Sequence, residues 1–199
     1  MSTLPSFKPS IGKSLESTRW RTVDIIVVAI VAVAFGVVFW FWDVYVWPWA
    51  SFLSNPGEYA ISGVWLMPAV IAPLVVRKPG AALFAEMVAA IVSVLLGNQW
   101  GLDVLLSGFV QGAGAELVFA FLVYRNFSWV VAALAGAGAG VGEALHDLPI
   151  YFASFDVPYR AGIFILDVVS AAAIAGIGGW LLVRALRRTG ALQAFPSCG

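Results

Sequence analysis

Apolar residues in this chain fall into long stretches that are separated by short polar breaks. A helix that crosses a bilayer needs about 20 mostly apolar residues. Six stretches approach this length, and they cover residues 22–42, 59–76, 80–97, 103–124, 128–150 and 162–184. The pattern predicts an all-α polytopic membrane protein, a bundle of six transmembrane helices over residues 22–184, with tails at residues 1–21 and 185–199.

The first apolar stretch follows a polar segment and ends in the aromatic run FWFWDVYVWPW. It is too long for the core of a cleavable signal peptide and lacks a small-residue cleavage site, so we expect it to remain as a helix. Tryptophans are typical of membrane interfaces. We interpret the tryptophans of this run as an interfacial belt, although cation–π contact with a ligand stays open for one of them.

Positive charges are distributed unevenly over the predicted bundle. Ten of the eleven lie on one side, namely Lys8, Lys13, Arg19, Arg21, Arg77, Lys78, Arg125, Arg184, Arg187 and Arg188, and Arg160 lies on the other. By the positive-inside rule, both termini are predicted to be cytoplasmic. Most acidic residues fall within the spans or toward the outer face, which favours a cationic or neutral hydrogen-bonding solute over an anion.

Composition agrees with the membrane class and excludes several functions. Hydrophobic residues make up 61% of the chain and charged residues 11%, whereas about a quarter of a soluble protein is charged. The formal net charge is zero and no basic stripe occurs, so no nucleic-acid partner is expected. With one cysteine, Cys198, and one histidine, His146, neither a metal site nor a cofactor is expected.

Three glutamates lie within predicted helices: Glu86, Glu116 and Glu143. A charged side chain in the middle of a membrane helix costs about 2.5–3.5 kcal/mol on insertion scales. A rise of about 1.5 Å per residue places Glu86 and Glu116 in the inner half or near the middle, where they could meet. Such residues either line a cavity or lock helices together by hydrogen bonds, and the sequence leaves both roles open.

Polar and aromatic residues toward the outer ends of the helices could form a cup that binds a substrate. Together with the glutamates, the candidate substrate-binding residues are Tyr59, Trp65, Glu86, Asn98, Gln111, Glu116, Glu143, His146, Asp147 and Tyr151. Gln111 could form the floor of this cup. His146, beside Asp147, could contact a ligand or only form a hydrogen bond at the helix end.

Enzymatic chemistry finds little support in the sequence. The run EALHD contains Glu-x-x-His, a spacing used in di-iron bundles, but such a site needs a second copy. Ser93 and Ser107 have no obvious histidine partner for intramembrane proteolysis. No catalytic residue is therefore predicted, and because the chain has no P-loop, any ATP hydrolysis must come from a partner.

Small residues at close spacing allow helices to approach one another. The fifth and sixth stretches contain AGAGAGVGEA and SAAAIAGIGG, which we expect to pack within the bundle. The first stretch carries Ala29, Ala32 and Gly36. These three residues could pack inside the bundle or contact a partner helix.

The run SGVWLMPAVIAPLVVRKPGAALFAEMVAAIVSVLLGNQWG, followed by VQGAGAE, resembles the YkoE-type S components of energy-coupling factor (ECF) transporters. The resemblance covers about residues 20–185 and is most specific over Gly63–Glu116. Its motifs are Gly63-x-Trp65, Arg77-Lys78-Pro79-Gly80-Ala81-Ala82, Glu86, Gly97-Asn98, Gln111-Gly112-x-Gly114-x-Glu116 and Asp147-Leu148.

This resemblance implies a membrane subunit of a modular ABC importer that binds thiamin or its hydroxymethylpyrimidine precursor from outside and performs no chemistry. It also implies partners, a transmembrane coupling protein and two cytoplasmic ATPases, with the small residues of the first helix at the contact with the coupling protein. A second function stays open: an autonomous proton-coupled transporter of a small cationic or heteroaromatic solute, with Glu86, Glu116 or Glu143 as proton carrier. No inverted repeat or pair of broken helices is visible to support that alternative.

Overall fold

The computed structural model describes residues 19–50, 52, 56–193 and 195, and this part of the chain is helical and contains no strand. Its helices are α1 Thr22–Ala50, α2 Gly57–Val76, α3 Ala81–Leu95, α4 Asp103–Phe121, α5 Trp129–Ile150 and α6 Val157–Arg188. Five are long and apolar enough to cross a membrane, and α3 is a shorter apolar helix of 15 residues. The all-α prediction is confirmed, and the fold is that of a polytopic membrane protein. Residues 1–18 of the predicted tail at residues 1–21, and Cys198, lie outside the described residues.

Helices α1 and α6 are each longer than the sequence predicts by eight or more residues. Helix α1 was expected to end at residue 42 but continues to Ala50, because a π-helical turn, Trp42–Val46, carries the helix through the aromatic run. Helix α6 covers Val157–Arg188 instead of residues 162–184. Its start is set by Asp156, whose Oδ1 accepts the Tyr159 N–H at 3.2 Å and so caps the first turn.

Helix α2 lies at the centre of the bundle. The other helices pack in the order α1, α3, α4, α5, α6 around it, and α2 contacts each of them. In an 18-residue window of α2, 72% of the residues are buried inside the bundle. The same fraction is 22–56% in the other four long helices. The uniform apolar sequence of Met67–Val76 follows from this position, because no side of that segment faces lipid or water.

The first part of α2 has a different helix type and is held by polar bonds. Gly57–Val64 is a 3₁₀-helix, and the α-helical part starts at Met67, with Pro68 in its first turn. The Gly63 N–H donates to Ser170 Oγ of α6 at 3.0 Å. A Cβ on Gly63 would lie 2.5 Å from the Ser170 carbonyl oxygen, so α2 and α6 touch backbone to backbone here.

Glycines bring α4, α5 and α6 into similarly close contact. A Cβ on Gly114 of α4 would lie 2.1 Å from the Gly138 carbonyl oxygen of α5. A Cβ on Gly136 would lie 2.4 Å from the Ala171 carbonyl oxygen of α6. The expected packing of small residues from the fifth and sixth stretches inside the bundle is confirmed by these contacts, which side chains would prevent.

The prediction that the small residues of α1 contact a partner helix needs a correction. Ala32 is fully buried, and a Cβ on Gly36 would lie 2.5 Å from Val92 Cβ of α3. Gly36 is therefore covered by α3 and Ala32 is buried within the chain, so a partner helix would not reach either position in this arrangement. Ala29 is half-buried, and the exposed side of α1 carries branched residues such as Ile26 and Ile30.

The described ends of the chain meet at one end of the bundle. The Trp20 indole N–H donates to the Pro79 carbonyl at 3.0 Å, and the Arg21 guanidinium lies 6.0 Å from the Phe195 ring centroid. We call this the arginine end, because Arg77, Arg125, Arg184, Arg187 and Arg188 line a groove there. The opposite end, the cavity end, holds the candidate site.

Candidate substrate-binding cavity

A cavity of about 60 Å³ enters the bundle from the cavity end, between α1, α2, α3, α4 and α5. This is several times the space that one ordered water needs. Its carboxylates are Asp43, Glu86, Asp103, Glu143 and Asp147, and its aromatic side chains are Phe39, Trp47, Tyr59, Trp65, Trp100 and Tyr151. Among the described lining residues, His146 is the one basic side chain, and no lysine or arginine occurs.

Glu86 lies at the fully buried base of this cavity. Its Oε2 accepts the Ala69 N–H at 3.0 Å, and Ala69 lies in the first turn of the α-helical part of α2. Backbone N–H groups of a first turn have no partner within the helix, and a carboxylate there is favoured by the helix dipole. The other oxygen, Oε1, is buried and has no hydrogen-bond partner among the described residues.

The rim of the cavity is a chain of side chains from α2, α4 and α5 that are joined by hydrogen bonds and one ion-pair contact. Tyr59 of α2 donates to Asp147 Oδ2 at 3.1 Å, and Asp147 Oδ1 lies 2.8 Å from His146 Nδ1. The other imidazole nitrogen, Nε2, lies 3.3 Å from Asp103 Oδ1 of α4. Tyr151 closes the chain through a hydrogen bond to Asp103 Oδ2. This chain fixes the imidazole between two carboxylates.

Tyr151 lies just after α5, and more than a third of its surface is exposed. Burial raises the pKa of Tyr151, and the hydrogen bond to Asp103 and the charges of Asp103 and Asp147 raise it further. The hydroxyl therefore stays protonated and acts as a donor. Its ring lies 5.6 Å from that of Trp100, so the two aromatic side chains stand together at the rim.

An aromatic wall lies on the α1 side, beside the carboxylate of Asp43. The Trp65 indole N–H donates to Asp43 Oδ1 at 2.8 Å, and Ser93 Oγ lies 3.4 Å from Oδ2. The rings of Trp47 and Trp65 are 4.5 Å apart. The π-helical turn of α1 contains Asp43, and such turns occur often at functional sites because they alter the direction of side chains.

Glu143 and Asp167 form a second group of acidic side chains between α5 and α6. Asp167 is fully buried and accepts the Ser62 hydroxyl at 2.6 Å. Glu143 interacts with Asp167 and faces the cavity, where its Oε2 has no hydrogen-bond partner among the described residues. Two carboxyl groups in contact repel each other when both are charged, so the pair suits a shared proton or a cationic neighbour.

Eight of the ten predicted site residues line the cavity, and Asn98 and Glu116 do not. Asn98 stabilises the turn after α3: its Oδ1 accepts the Trp100 and Gly101 N–H groups at 2.8 and 2.7 Å, and its amide donates to Ser93. It therefore orders the loop that carries Trp100. The expected floor residue, Gln111, lines the cavity and donates to Ser107 at 2.7 Å.

Glu116 caps the first turn of α3 instead of meeting Glu86. Its carboxylate accepts the Gly80 N–H at 2.6 Å and the Ala82 N–H at 2.9 Å. Tyr124 donates to the same carboxylate at 2.5 Å. Burial, the hydrogen bond to Glu116 and the charge of Glu116 raise the pKa of Tyr124, which keeps its hydroxyl protonated. Because membrane interiors offer no water to such N–H groups, a carboxylate from α4 supplies the missing acceptors.

We expect Glu116→Gln to destabilise the fold and to leave the cavity unchanged. Both carboxylate oxygens accept hydrogen bonds, and an amide NH₂ would point a donor at a backbone donor. The loss is about 2–3 kcal/mol for hydrogen bonds to a charged group, measured as a lower melting temperature in detergent. Unchanged stability would contradict the capping role.

Ten lining residues were not among the predicted site residues, including Asp43, Trp47, Trp100 and Asp103. Asp43 and Trp47 fall beyond the predicted end of the first helix, and Trp47 was assigned to an interfacial belt, because the π-helical turn was not anticipated. Trp47 is buried and belongs to the wall. The position of Asp103 in the first turn of α4 was the one sequence signal for a role at the cavity. It was ambiguous, because a carboxylate in the first turn of a helix also stabilises the helix itself.

Comparison with known proteins identifies the fold family. Residues 23–142 match the family described as ABC-type cobalt transport system, permease component. The crystal structure of an S component of an ECF transporter superimposes with a TM-score of 0.84 and 32% identity, covering 89% of this chain and 90% of that one. The putative HMP/thiamine permease protein YkoE of Bacillus subtilis (strain 168) is 33% identical over 175 residues, which are 87% of this chain and 88% of that protein. The chain belongs to the YkoE family of ECF S components. This S component therefore has a transporter fold and is not a member of an enzyme class.

Proposed function

We propose that this S component captures thiamin or its hydroxymethylpyrimidine precursor in the cavity. A transmembrane coupling protein and two cytoplasmic ATPases would then drive delivery across a bacterial plasma membrane. The observation that carries the proposal is the charge of the cavity: five carboxylates and six aromatic rings line it, without lysine or arginine among its described residues. The permease name of the B. subtilis relative supports the choice of these two substrates.

The chemistry of both substrates matches this lining. Each contains an aminopyrimidine, whose amino group and ring nitrogen form charge-assisted hydrogen bonds with a carboxylate. Among the described residues that line the cavity, Glu86 Oε1 and Glu143 Oε2 are the buried carboxylate oxygens without a hydrogen-bond partner. Thiamin also carries a permanently cationic thiazolium, which aromatic faces such as those of Trp47 and Trp65 attract. An anionic substrate would meet repulsion from every carboxylate.

The distribution of arginines supports the direction of capture. Five arginines line the groove at the end opposite the cavity. Cationic residues of membrane proteins concentrate on the cytoplasmic side. We therefore assign the arginine end and both termini to the cytoplasm, and the cavity opens to the outside. All six helices would cross the bilayer, including the short α3.

Fluorescence titration of the purified protein tests the substrate. The chain has nine tryptophans, and three of them line the cavity, so we expect saturable quenching by thiamin or hydroxymethylpyrimidine at nanomolar to low-micromolar concentration. The tighter ligand identifies the substrate. Oxythiamin, in which an oxo group replaces the amino group, is the matched control and should bind more weakly. Absence of binding by both substrates, in fluorescence and in calorimetry, would overturn the proposal.

Reconstitution separates this function from proton-coupled transport. Vesicles that contain the S component alone should bind the substrate and not accumulate it, whereas addition of the coupling protein, both ATPases and ATP should allow uptake. Accumulation by the isolated chain, driven by a proton gradient, would favour the autonomous transporter, for which the buried acids Glu86 and Glu143 would be the carriers.

A further inference from the structure

A second concave site lies at the arginine end, remote from the substrate cavity. It is a groove of about 860 Å³ between the α2–α3 loop, the α4–α5 loop and the end of α6. Its charged residues are Arg77, Arg125, Arg184, Arg187 and Arg188, and no carboxylate occurs among its described lining residues. Such a concentration of one charge in a groove attracts an anion.

Several of these arginines are held in place by contacts within the chain. Arg184 lies 5.2 Å from the ring centroid of Trp180, and Arg77 lies 5.0 Å from that of Phe127. Arg187 donates to the Leu74 carbonyl at 2.8 Å. Arg125 and Arg188 are exposed at the groove. The groove thus combines ordered guanidinium groups with exposed ones, and guanidinium forms paired hydrogen bonds with phosphate oxygens.

The start of α5 adds to the positive field of the groove. Ser128 caps this helix of 22 residues and lines the groove together with Trp129. The N-terminus of a helix carries partial positive charge. Backbone and side chains therefore favour the same sign of ligand charge.

The groove also borders the apolar surface of the bundle. Trp129 and Trp180 line it, and tryptophan concentrates at the level of lipid headgroups. On the same helices, Val130, Leu181 and Leu182 are exposed. A ligand with an anionic head and apolar chains could place its head among the arginines and its chains along these residues.

From this arrangement we propose that the groove binds the phosphate headgroup of an anionic phospholipid. Basic pockets between helices on the cytoplasmic side of membrane proteins suit such headgroups. This site is separate from substrate capture and does not depend on the identity of the captured solute.

Native mass spectrometry of the full chain tests this site directly. The protein would be offered an equimolar mixture of phosphatidylglycerol and phosphatidylcholine, and the retained lipids would be counted. The test variant is Arg125→Gln/Arg188→Gln. The matched control, Arg19→Gln/Arg160→Gln, removes the same amount of charge outside the groove. Arg19 is exposed, and Arg160 lies at the opposite end of the bundle. Melting temperatures without added lipid verify that both variants are folded.

We expect the wild type and the control to retain more phosphatidylglycerol than phosphatidylcholine. In the groove variant, the ratio of retained phosphatidylglycerol to phosphatidylcholine should fall by about fivefold or more, because a single arginine near an anionic surface contributes an effect of that size. Equal retention of both lipids by the wild type would overturn the proposal, as would equal losses in both variants. Displacement of the lipid by millimolar inorganic phosphate would assign the groove to a free anion instead. Displacement by an acidic segment of the coupling protein would assign it to protein docking, and either result would reject the lipid assignment.

Discussion

Glu86→Gln is expected to weaken binding of thiamin or hydroxymethylpyrimidine by about 30-fold or more while the protein stays folded. The substitution keeps the shape of the side chain and keeps an oxygen for the Ala69 N–H, which needs only one acceptor. It replaces Oε1, which has no hydrogen-bond partner among the described residues, by an amide NH₂ that cannot accept a hydrogen bond from the ligand. Loss of one partner from a buried, hydrogen-bonded charge pair costs about 2–5 kcal/mol, and each 1.4 kcal/mol corresponds to about a factor of ten in affinity.

The matched control for this experiment is Glu116→Gln, which changes the same chemical group in a neighbouring helix. Calorimetric titration and thermal unfolding should give opposite results for the two variants. Glu86→Gln loses affinity with little change in melting temperature, and Glu116→Gln loses stability with unchanged affinity once folded. Wild-type affinity in Glu86→Gln would show that Glu86 only caps α2. A fall in stability equal to that of Glu116→Gln would likewise assign it a structural role.

Gly114→Ala is expected to prevent close packing of α4 on α5 and to destabilise the protein by about 3 kcal/mol or more. The added Cβ would lie 2.1 Å from the Gly138 carbonyl oxygen. That oxygen belongs to the backbone of another helix, so no rotation of a side chain relieves the overlap and the helices must separate. Overpacking of a core typically costs about 1–3 kcal/mol and sometimes more, and contacts with rigid backbone fall at the upper end.

The control is Gly178→Ala in α6, where the nearest atom to an added Cβ is the Ala173 carbonyl oxygen at 3.6 Å. Alanine is favoured over glycine in a helix by about 1 kcal/mol, so this variant should match or exceed wild-type stability. The yield of monodisperse protein in detergent and its melting temperature provide the comparison. If Gly114→Ala were as stable as Gly178→Ala, α4 and α5 would have to be farther apart than the structure places them.

The six helices could be predicted from the sequence because a chain that crosses a bilayer needs long apolar stretches, and short polar breaks separate them here. The clustering of Glu143, His146 and Asp147 near one end also follows from their positions in a single helix. The length of α1 could not be predicted in this way, because its π-helical turn keeps a run of aromatic residues helical. The role of Ala32 and Gly36 depends on which helix packs against α1, and this is decided by the tertiary structure.

Glu86 and Glu116 show where prediction from a single chain reaches its limit. Both were interpreted as carboxylates that line a cavity or lock helices together, and both accept N–H groups at the start of a helix. They differ in the oxygen that remains: Glu116 uses both, whereas Glu86 leaves Oε1 without a partner among the described residues. This difference depends on the groups that the neighbouring helix presents to each glutamate. The spacing of residues within the glutamate's own helix does not predict it.

The short third helix has a consequence for the surrounding membrane. At about 1.5 Å of rise per residue, the 15 residues of α3 span about 22 Å, whereas a typical hydrocarbon core is about 30 Å thick. Lipid beside a short helix thins to avoid exposing polar residues to its chains. The turn at Asn98–Trp100, which borders the cavity, would then lie at the bottom of a dimple in the bilayer. A water-soluble solute would thus approach its binding site through a local depression of the membrane surface, and changes in bilayer thickness would alter the depth of that approach.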